Sequence, residues 1–407
     1  MCLNDTLAAL VLVVHFAELV FPMITTLLPS SIVCLVCFIL WFFFVTMTDA
    51  KFLLLENKFV LLVIYAFLAI YPAFFGYSTI SNRYLSMSLI FCGSIVFCYY
   101  KATNKLFILK KVLIVTLILS FITMLITYEQ LLLFPYISRS IKSGGEHSAI
   151  LARRGIGGYA FIYYITALSI PALYYGIKAK QKRKRILAII WYSVSVLFII
   201  KSNYVTALLT IVVCSAVLVM FFSTSKKIVE RTLGLFFGTL LIILFFNMEN
   251  IVNLIADYLP NRTASVLVSQ SDNSVTNSIM QEFFRDRWPM ILISINAFLD
   301  YPVLGLIGCG ALGSEGKFLT GFGQHSFVFD TFALFGLFGG TVGVFAVLSP
   351  MKKSDVWMNH SSFRIAMIVC MVMLYFLNNA TESIALVFSI IAPYCAYILD
   401  YDEKMEV

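Results

Sequence analysis

Apolar runs of about 20 residues, the length that an α-helix needs to cross the hydrocarbon core of a bilayer, follow one another along nearly the whole chain. Short polar stretches separate them. The pattern predicts about twelve membrane-spanning helices. Their expected ranges are 6–28, 31–48, 58–76, 84–100, 107–127, 159–177, 186–201, 203–222, 232–247, 327–349, 363–379 and 383–399.

The composition agrees with this pattern. Hydrophobic residues make up 61% of the chain and charged residues 12%, and the mean hydropathy is +0.93. A soluble domain has roughly 45–50% apolar and about 25% charged residues. A helix satisfies its own backbone hydrogen bonds inside lipid. The predicted fold class is therefore an all-α polytopic membrane protein, with residues 1–407 forming a single integral membrane domain.

The positions of Lys and Arg in short loops predict the orientation of the spans. If the spans alternate, the links at 29–30, 202 and 380–382 lie on one side and carry no Lys or Arg. The segments that fall on the other side are rich in Lys and Arg, and they are 101–111, 178–185, 223–231 and 350–355. We expect this basic side, together with both termini, to be cytoplasmic.

Two long segments, 128–158 and 248–326, then lie on the opposite side and have room for a site. The second contains MQEFFRDRWPMILISINAFLDYPVLG, whose apolar part is shorter than a span, so we expect it to lie at the membrane interface. The Gly-rich run at 305–316 is expected to be a flexible loop. The basic residues of the two segments are Arg139, Lys142, Arg153, Arg154, Arg262, Arg285, Arg287 and Lys317.

So many arginines are unexpected on a side that the positive-inside rule leaves poor in charge. The planar guanidinium matches phosphate oxygens, which suggests an anionic ligand such as a pyrophosphate head group. Individual arginines could also serve the structure alone. Arg153 or Arg154 could anchor the next span on lipid head groups, and Arg285 and Arg287 could pair with acidic neighbours.

The four histidines differ in their surroundings. His325 lies in GQHS, directly before a span, where an imidazole can accept a proton from a hydroxyl or simply anchor the helix. His15 and Glu18 are one helical turn apart inside the first span; we expect a structural pair, although ionisable groups in spans are often functional. His147 is a weaker functional candidate, and His360, in a basic-side loop, is expected to have no role.

Other chemistry has little support in the sequence. There is no HExxH, no P-loop and no GxGxxG in a βαβ unit, and most of the nine cysteines lie inside apolar runs, where a thiol behaves as a small hydrophobe. No metal, cofactor or nucleic-acid partner is expected. Asp330, inside the span that follows His325, either orients that histidine or makes a buried polar contact.

The stretch RWPMILISINAFLDYPVLGLIG, followed after a Gly-rich segment by GQHSFVFDTFALFGLFGG, resembles the O-antigen polymerase and ligase superfamily, Wzy and WaaL in bacterial naming. Arg287, Pro302 and Gly305 match the first half of the family pattern. His325 and Gly336 match the second half with its His-x10-Gly spacing. The plan of twelve spans with a large loop between the ninth and tenth also agrees.

The upstream stretch RRGIGGYAF (153–161) is similar to the Arg-Gly segment that precedes a span in this family. The resemblance implies a metal-independent glycosyltransferase at the periplasmic face of the bacterial inner membrane. Such an enzyme transfers a glycan from undecaprenyl pyrophosphate to a hydroxyl. Its implied partners are this lipid-linked glycan, the lipid bilayer and a membrane protein that regulates chain length.

The resemblance assigns catalysis to His325 and Arg287. The arginines expected to bind the substrate are Arg153, Arg154, Arg285 and Arg139. Of the two activities in the superfamily, polymerase is the one we expect. A ligase usually carries an Arg where this chain reads KSNYVTALL (201–209), although Lys201 could substitute for it.

Alternatives to a polymerase stay open. The Arg-x10-Gly spacing of some polymerases is absent for every arginine on the side opposite the basic loops, and a ligase remains the first alternative. A flippase or transporter of lipid-linked glycans is a second alternative, from a different class. Transporters tend to carry charges within spans and internal repeats, whereas this chain has few intramembrane charges and no convincing repeat.

Overall fold

A computed structural model of the chain describes residues 3–25, 30–54, 70–77, 80, 89–134, 137–141, 146–202, 204–222, 275–315, 318–352, 354–379 and 381–404. The helices of the first half are α1 (Leu3–Val20), α2 (Pro22–Thr25), α3 (Ser30–Leu54), α4 (Leu89–Ala102), α5 (Leu106–Leu133), α6 (Ile137–Ser140), α7 (Glu146–Arg153), α8 (Tyr159–Lys178), α9 (Lys182–Ser202) and α10 (Val205–Phe222).

The second half continues with further helices and one small hairpin. Its helices are α11 (Val275–Asp300), α12 (Gly305–Gly308), α13 (Phe327–Leu348), α14 (Ser361–Leu377), α15 (Glu382–Leu386) and α16 (Ala392–Lys404). Short 3-10 turns cover Ser349–Met351 and Asp355–Trp357, and a π-helical turn covers Val387–Ile391. Strands β1 (Gly313–Glu315) and β2 (Phe318–Thr320) pair antiparallel.

The chain is an all-α membrane protein. Six of the described helical segments are long and apolar enough to cross a bilayer. Five are the helices α1, α5, α8, α9 and α13, and the sixth runs from α15 through the π-helical turn into α16. Every predicted range except 232–247 overlaps described helical residues, and the range 58–76 does so at 70–74. Residues 58–69 and the whole of 232–247 lie outside the described residues. The apolar part of α11, Trp288–Asp300, is shorter than a span, as the sequence indicated.

Two expectations need correction, one at a proline and one in a glycine-rich segment. The first range, 6–28, is interrupted at Phe21 because Pro22 lacks the N–H that would continue the helix. The range 383–399 lies within a helical segment, Glu382–Tyr401, that is long and apolar enough to cross a bilayer, and this segment contains the π-helical turn just before Pro393. The segment 305–316 contains helix α12 and strand β1 where a loop was expected.

The centre of the bundle is formed by α8 and by the segment that joins α15 to α16. Side chains along α8 such as Tyr163, Tyr164 and Tyr174 are fully buried. Helix α9 packs against α8 but turns apolar side chains outward. These exposed residues include Ile186, Leu187, Ile189, Ile190 and Leu197. An apolar surface of this kind is costly in water but favourable against lipid tails, which agrees with the membrane assignment.

Polar contacts define the two ends of the bundle. At one end, which we call the histidine end, the Tyr159 hydroxyl donates to Asn378 Oδ1 at 2.8 Å, and the Phe327 backbone N–H donates to the Asn378 carbonyl at 3.0 Å. At the opposite end, which we call the basic end, Lys101 and Lys352 line one cavity of about 390 Å³. Two of the basic segments that the alternating topology groups together, 101–111 and 350–355, therefore lie together, while 223–231 lies outside the described residues.

His360 is part of the basic end, and the structure gives it packing contacts there. It is 5% exposed. Its Nδ1 lies 2.7 Å from the Tyr174 hydroxyl, and its Nε2 lies 3.2 Å from Asp400 Oδ1. One imidazole thus connects α8, the start of α14 and α16.

A glycine contact joins α13 to the segment that follows α11. Gly336 has φ +65° inside α13, which kinks the helix there. The Leu337 N–H donates to the Pro302 carbonyl at 2.7 Å. A Cβ atom on Gly336 would lie 2.3 Å from the Val303 carbonyl oxygen, and one on Gly305 would lie 2.4 Å from the Gly336 nitrogen. Only hydrogen fits at either Cα, so both residues must be glycine.

We predict that Gly336→Ala lowers the free energy of unfolding by on the order of 3 kcal/mol, because it adds a backbone clash to a positive φ. Gly310→Ala is the matched control: Gly310 also has a positive φ, +61°, but a Cβ there meets nothing within 4 Å. This control should cost only about 1 kcal/mol. Thermal unfolding of the detergent-solubilised variants measures both. Equal losses would show that the close packing contributes nothing.

Candidate functional site

The GQHS segment enters α13 through a side-chain cap. The Ser326 hydroxyl accepts the Phe329 N–H at 3.3 Å, which satisfies one of the unpaired donors in the first helical turn. The same hydroxyl donates to the Tyr375 carbonyl at 3.4 Å and so contacts the end of α14. The helix begins directly after GQHS, as the sequence predicted.

Asp330 organises the residues just before the helix. It is 2% exposed, and its Oδ1 accepts the Ser294 hydroxyl at 2.6 Å and the Gln324 N–H at 3.2 Å. The Ser294 hydroxyl in turn accepts the Gly323 N–H at 2.8 Å. A carboxylate inside an apolar bundle is tolerated when it is hydrogen-bonded in this way. Of the two roles expected for Asp330, the geometry shows a buried polar contact that holds the backbone beside His325.

The backbone before His325 is closely packed and conformationally unusual. A Cβ atom on Gly323 would lie 1.7 Å from the Met290 carbonyl oxygen, so the loop lies directly against α11. Gln324 has φ +59°, a conformation that a residue with a Cβ adopts only under constraint. The Asn379 amide donates to the Gln324 carbonyl and adds such a constraint.

His325 itself is half-buried, and its Nδ1 lies 3.1 Å from the Gly323 carbonyl oxygen. A carbonyl oxygen accepts hydrogen bonds, so Nδ1 carries the proton in this contact. In the neutral imidazole the lone pair then belongs to Nε2, which becomes the basic nitrogen. The arrangement resembles the way in which a backbone carbonyl sets the tautomer of a general base.

The RRGIGG segment at 153–158 reaches the same end of the bundle. Tyr159, which follows this segment directly, donates a hydrogen bond to Asn378. Asn379, the neighbour of Asn378 in the chain, donates one to the Gln324 carbonyl beside His325. The Gly157 N–H donates to the Thr127 hydroxyl at 2.7 Å, which ties the segment to α5. The structure therefore brings GQHS and RRGIGG to the same histidine end, although they are far apart in sequence.

The predicted arginines fall into three groups. Arg153 and Arg154 are exposed at this end. The Arg139 guanidinium lies 4.9 Å from the centre of the Tyr204 ring, a cation–π contact in which the cation is only half-buried. Arg285 and Arg287 belong to α11, but their side chains lie outside the described residues.

Several other candidates also lie outside the described side chains. His147 belongs to the backbone of α7, which ends at Arg153. The remaining residues, whose side chains or whole positions are not described, are Lys142, Arg262 and Lys317.

Sequence reasoning missed Ser294, Asn378 and Asn379. Ser294 appears as an isolated hydroxyl in an apolar stretch, a type of residue that commonly bonds to its own helix backbone. The two asparagines stand in NNATES between two spans, where the triplet NAT is a weak glycosylation pattern. The two adjacent amide side chains at the end of a predicted span were the available signal for these contacts, since buried amides need hydrogen-bond partners.

Comparison with protein-family models, with curated proteins and with solved structures finds no match to this chain. The resemblance of its motifs to the O-antigen polymerase and ligase superfamily therefore stays a prediction. What the structure establishes is a polar, hydrogen-bonded end of an apolar helix bundle, with one imidazole held by its Nδ1 and two exposed arginines at the same end.

We predict that Ser294→Ala lowers the free energy of unfolding by about 1–3 kcal/mol, because it removes the hydrogen bonds to the Gly323 N–H and to Asp330. Adding Asp330→Asn should cost much less in this background than in the wild type, with a coupling of about 0.5–3 kcal/mol. Thermal unfolding of the two single variants and the double variant measures this coupling.

Ser195→Ala is the control for this cycle. Ser195 is equally buried, but its hydroxyl donates to the Trp191 carbonyl one turn earlier on its own helix. We expect it to change stability by no more than about 0.5 kcal/mol. Strictly additive losses for Ser294 and Asp330 would show that the two residues do not act as one network.

Proposed function

We propose that this protein is a surface-polysaccharide (O-antigen) polymerase, a glycosyltransferase that uses a glycan carried on undecaprenyl pyrophosphate. The observation that carries the proposal is the His325 imidazole, held through Nδ1 at the end of the bundle where the RRGIGG segment also lies. A general base and cationic groups at one membrane face are what such a transfer requires.

The proposed reaction joins two lipid-linked units. Nε2 of His325 accepts the proton of the acceptor hydroxyl, and the hydroxyl oxygen then bonds to the anomeric carbon of the donor glycan. The bond from that carbon to the pyrophosphate oxygen breaks, and undecaprenyl pyrophosphate leaves with the electron pair. Negative charge grows on the leaving group, so arginines placed around it lower the barrier.

We assign Arg287 to the leaving pyrophosphate together with Arg153 or Arg154, and Arg285 and Arg139 to further substrate contacts. Arg153 and Arg154 support this assignment because they are exposed at the histidine end. Arg139 has a distinct position, since its guanidinium already lies over the Tyr204 ring. It fits best as a residue that positions one edge of the substrate.

In this proposal the histidine end faces the periplasm, and the basic end faces the cytoplasm of a bacterial inner membrane. The grouping of Lys101 and Lys352 at one end supports it, because cytoplasmic loops carry the excess of Lys and Arg. The expected partners are the lipid-linked glycan, the bilayer and a membrane protein that regulates chain length. No metal or cofactor takes part in the transfer step.

Deleting the gene in a bacterium with a defined surface polysaccharide tests the activity. We expect the ladder of polymer lengths to collapse to core carrying a single repeat unit, because units still reach the periplasm and are still ligated. Electrophoresis of the extracted lipopolysaccharide measures this.

Other patterns in the same experiment would overturn the polymerase assignment. Core without any repeat, with polymer still on the lipid, would indicate a ligase. Lipid-linked units that accumulate on the cytoplasmic leaflet would indicate a flippase. An unchanged ladder would contradict all three functions.

Variants in the complemented strain test the site. We predict that His325→Ala and Arg287→Ala lower polymer by at least about 100-fold, since each removes a group that acts in the transition state. Arg364→Ala is the matched control, because Arg364 lies in the first turn of α14, at the basic end. Immunoblots of the membrane fraction confirm equal amounts of protein. A normal ladder from His325→Ala would refute its role as base.

A further inference from the structure

Three side chains with metal-binding atoms meet inside the bundle, away from His325. They are His15 and Glu18 on α1 and Cys34 on α3, and one potential ligand atom from each lies within 4.8 Å of the other two. Cys34 Sγ lies 3.4 Å from Glu18 Oε2. All three residues are at most 5% exposed.

The helix geometry explains why they converge. Residues three apart on a helix lie on the same face, so His15 and Glu18 point in the same direction from α1. Helix α3 packs along α1 and presents Cys34 to that face. The sequence analysis expected a buried pair at this place, and the tertiary structure adds a thiol as its third member.

An unsatisfied nitrogen points to a ligand. Nδ1 of His15 is buried and has no hydrogen-bond partner among the described residues. Leaving a buried polar atom without a partner costs about 1–3 kcal/mol. A cavity of about 20 Å³ adjoins the imidazole on the side of Cys37, Glu382 and Ser389, whereas Glu18 and Cys34 do not line it. It has room for one water molecule, which needs about 10–15 Å³.

We propose that His15, Glu18 and Cys34 bind one Zn²⁺ ion that joins α1 to α3. Imidazole nitrogen, carboxylate oxygen and thiolate sulfur are the three ligand types that zinc prefers. Ordinary bond lengths around a tetrahedral zinc put sulfur and oxygen ligands about 3.5 Å apart, close to the 3.4 Å between Cys34 and Glu18. Three protein ligands leave a fourth position for water.

The charges of the ion and its three protein ligands balance, while Glu382 lies beside them in the cavity wall. Zinc binds the thiolate, so the Cys34 proton leaves to solvent when the metal enters. One thiolate and one carboxylate then neutralise the two positive charges of the ion. A neutral assembly is the form in which ionic groups are best tolerated inside an apolar bundle. The carboxylate ligand favours Zn²⁺ over Cu⁺, which prefers softer ligand sets.

The site is distinct from the glycosyl transfer proposed above. It lies within the membrane part of α1, and no step of the proposed reaction passes through it. Its role is to hold the first two long helices together. A zinc site without polymerase activity, or polymerase activity without a zinc site, would each leave the other proposal standing.

Zinc binding to the purified full-length chain tests the proposal. After chelator treatment and dialysis against Zn²⁺, we expect one zinc per chain by elemental analysis. Substitution with Co²⁺ should give a sulfur-to-cobalt absorption band. His15→Ala and Cys34→Ser should weaken binding by more than about 100-fold, beyond the loss caused by removing an outer-shell partner. Affinity should fall as the pH is lowered, because protons compete for the ligands.

Cys395→Ser is the matched control: Cys395 is also buried, but its Sγ lies against the Pro171 carbonyl elsewhere in the bundle. It should bind zinc as the wild type does. Glu18→Gln nearly preserves shape, so it should fold yet lose the rise in unfolding midpoint that Zn²⁺ gives the wild type. The proposal is overturned if wild-type chain binds no zinc, or if Cys34→Ser binds it equally well through adventitious surface groups.

Discussion

The buried carboxylate of Asp330 imposes the arrangement of the histidine end. A charge-bearing group inside an apolar bundle must be surrounded by donors. Here the donors are the Ser294 hydroxyl and the Gln324 N–H, with Gly323 bonded to Ser294 in turn. To supply them, the chain folds tightly against α11 before it enters α13. The position of His325 follows from this packing, since His325 lies between Gln324 and the helix cap Ser326.

The glycines of the His-x10-Gly pattern and its upstream partner serve a different purpose from the histidine. Gly336 and Gly305 meet backbone to backbone, and the Leu337 N–H bonds to the Pro302 carbonyl. This contact locks α13 to the end of α11 about three helical turns from His325. One motif therefore combines a chemical group with the packing contact that holds its helix in place. The spacing between His325 and Gly336 is therefore constrained both by the position of the imidazole and by the glycine contact.

Two of the polar clusters in the described part of the bundle differ in accessibility. The one around His325 is half-buried and adjoins a segment with exposed arginines. The one formed by His15, Glu18 and Cys34 is enclosed within the bundle. The first suits a reaction with a lipid-linked substrate at the membrane face, and the second suits an ion bound between helices. Glu382 connects them spatially, because it lines the cavity beside His15 and begins the helix that follows Asn378 and Asn379.

Much of the fold could be predicted from the sequence. The length of each apolar segment and the positions of Lys and Arg are local properties, and they determine how a segment fits into a bilayer. The all-α membrane class, most helix positions and the start of α13 at Phe327 follow from that pattern. Tertiary structure alone decided that Ser294 and Asn379 hold the histidine loop, that His360 connects three helices and that Cys34 joins His15 and Glu18. These are contacts between distant segments, set by which faces of two helices pack together, and an apolar run carries little signal about the direction that each of its faces takes.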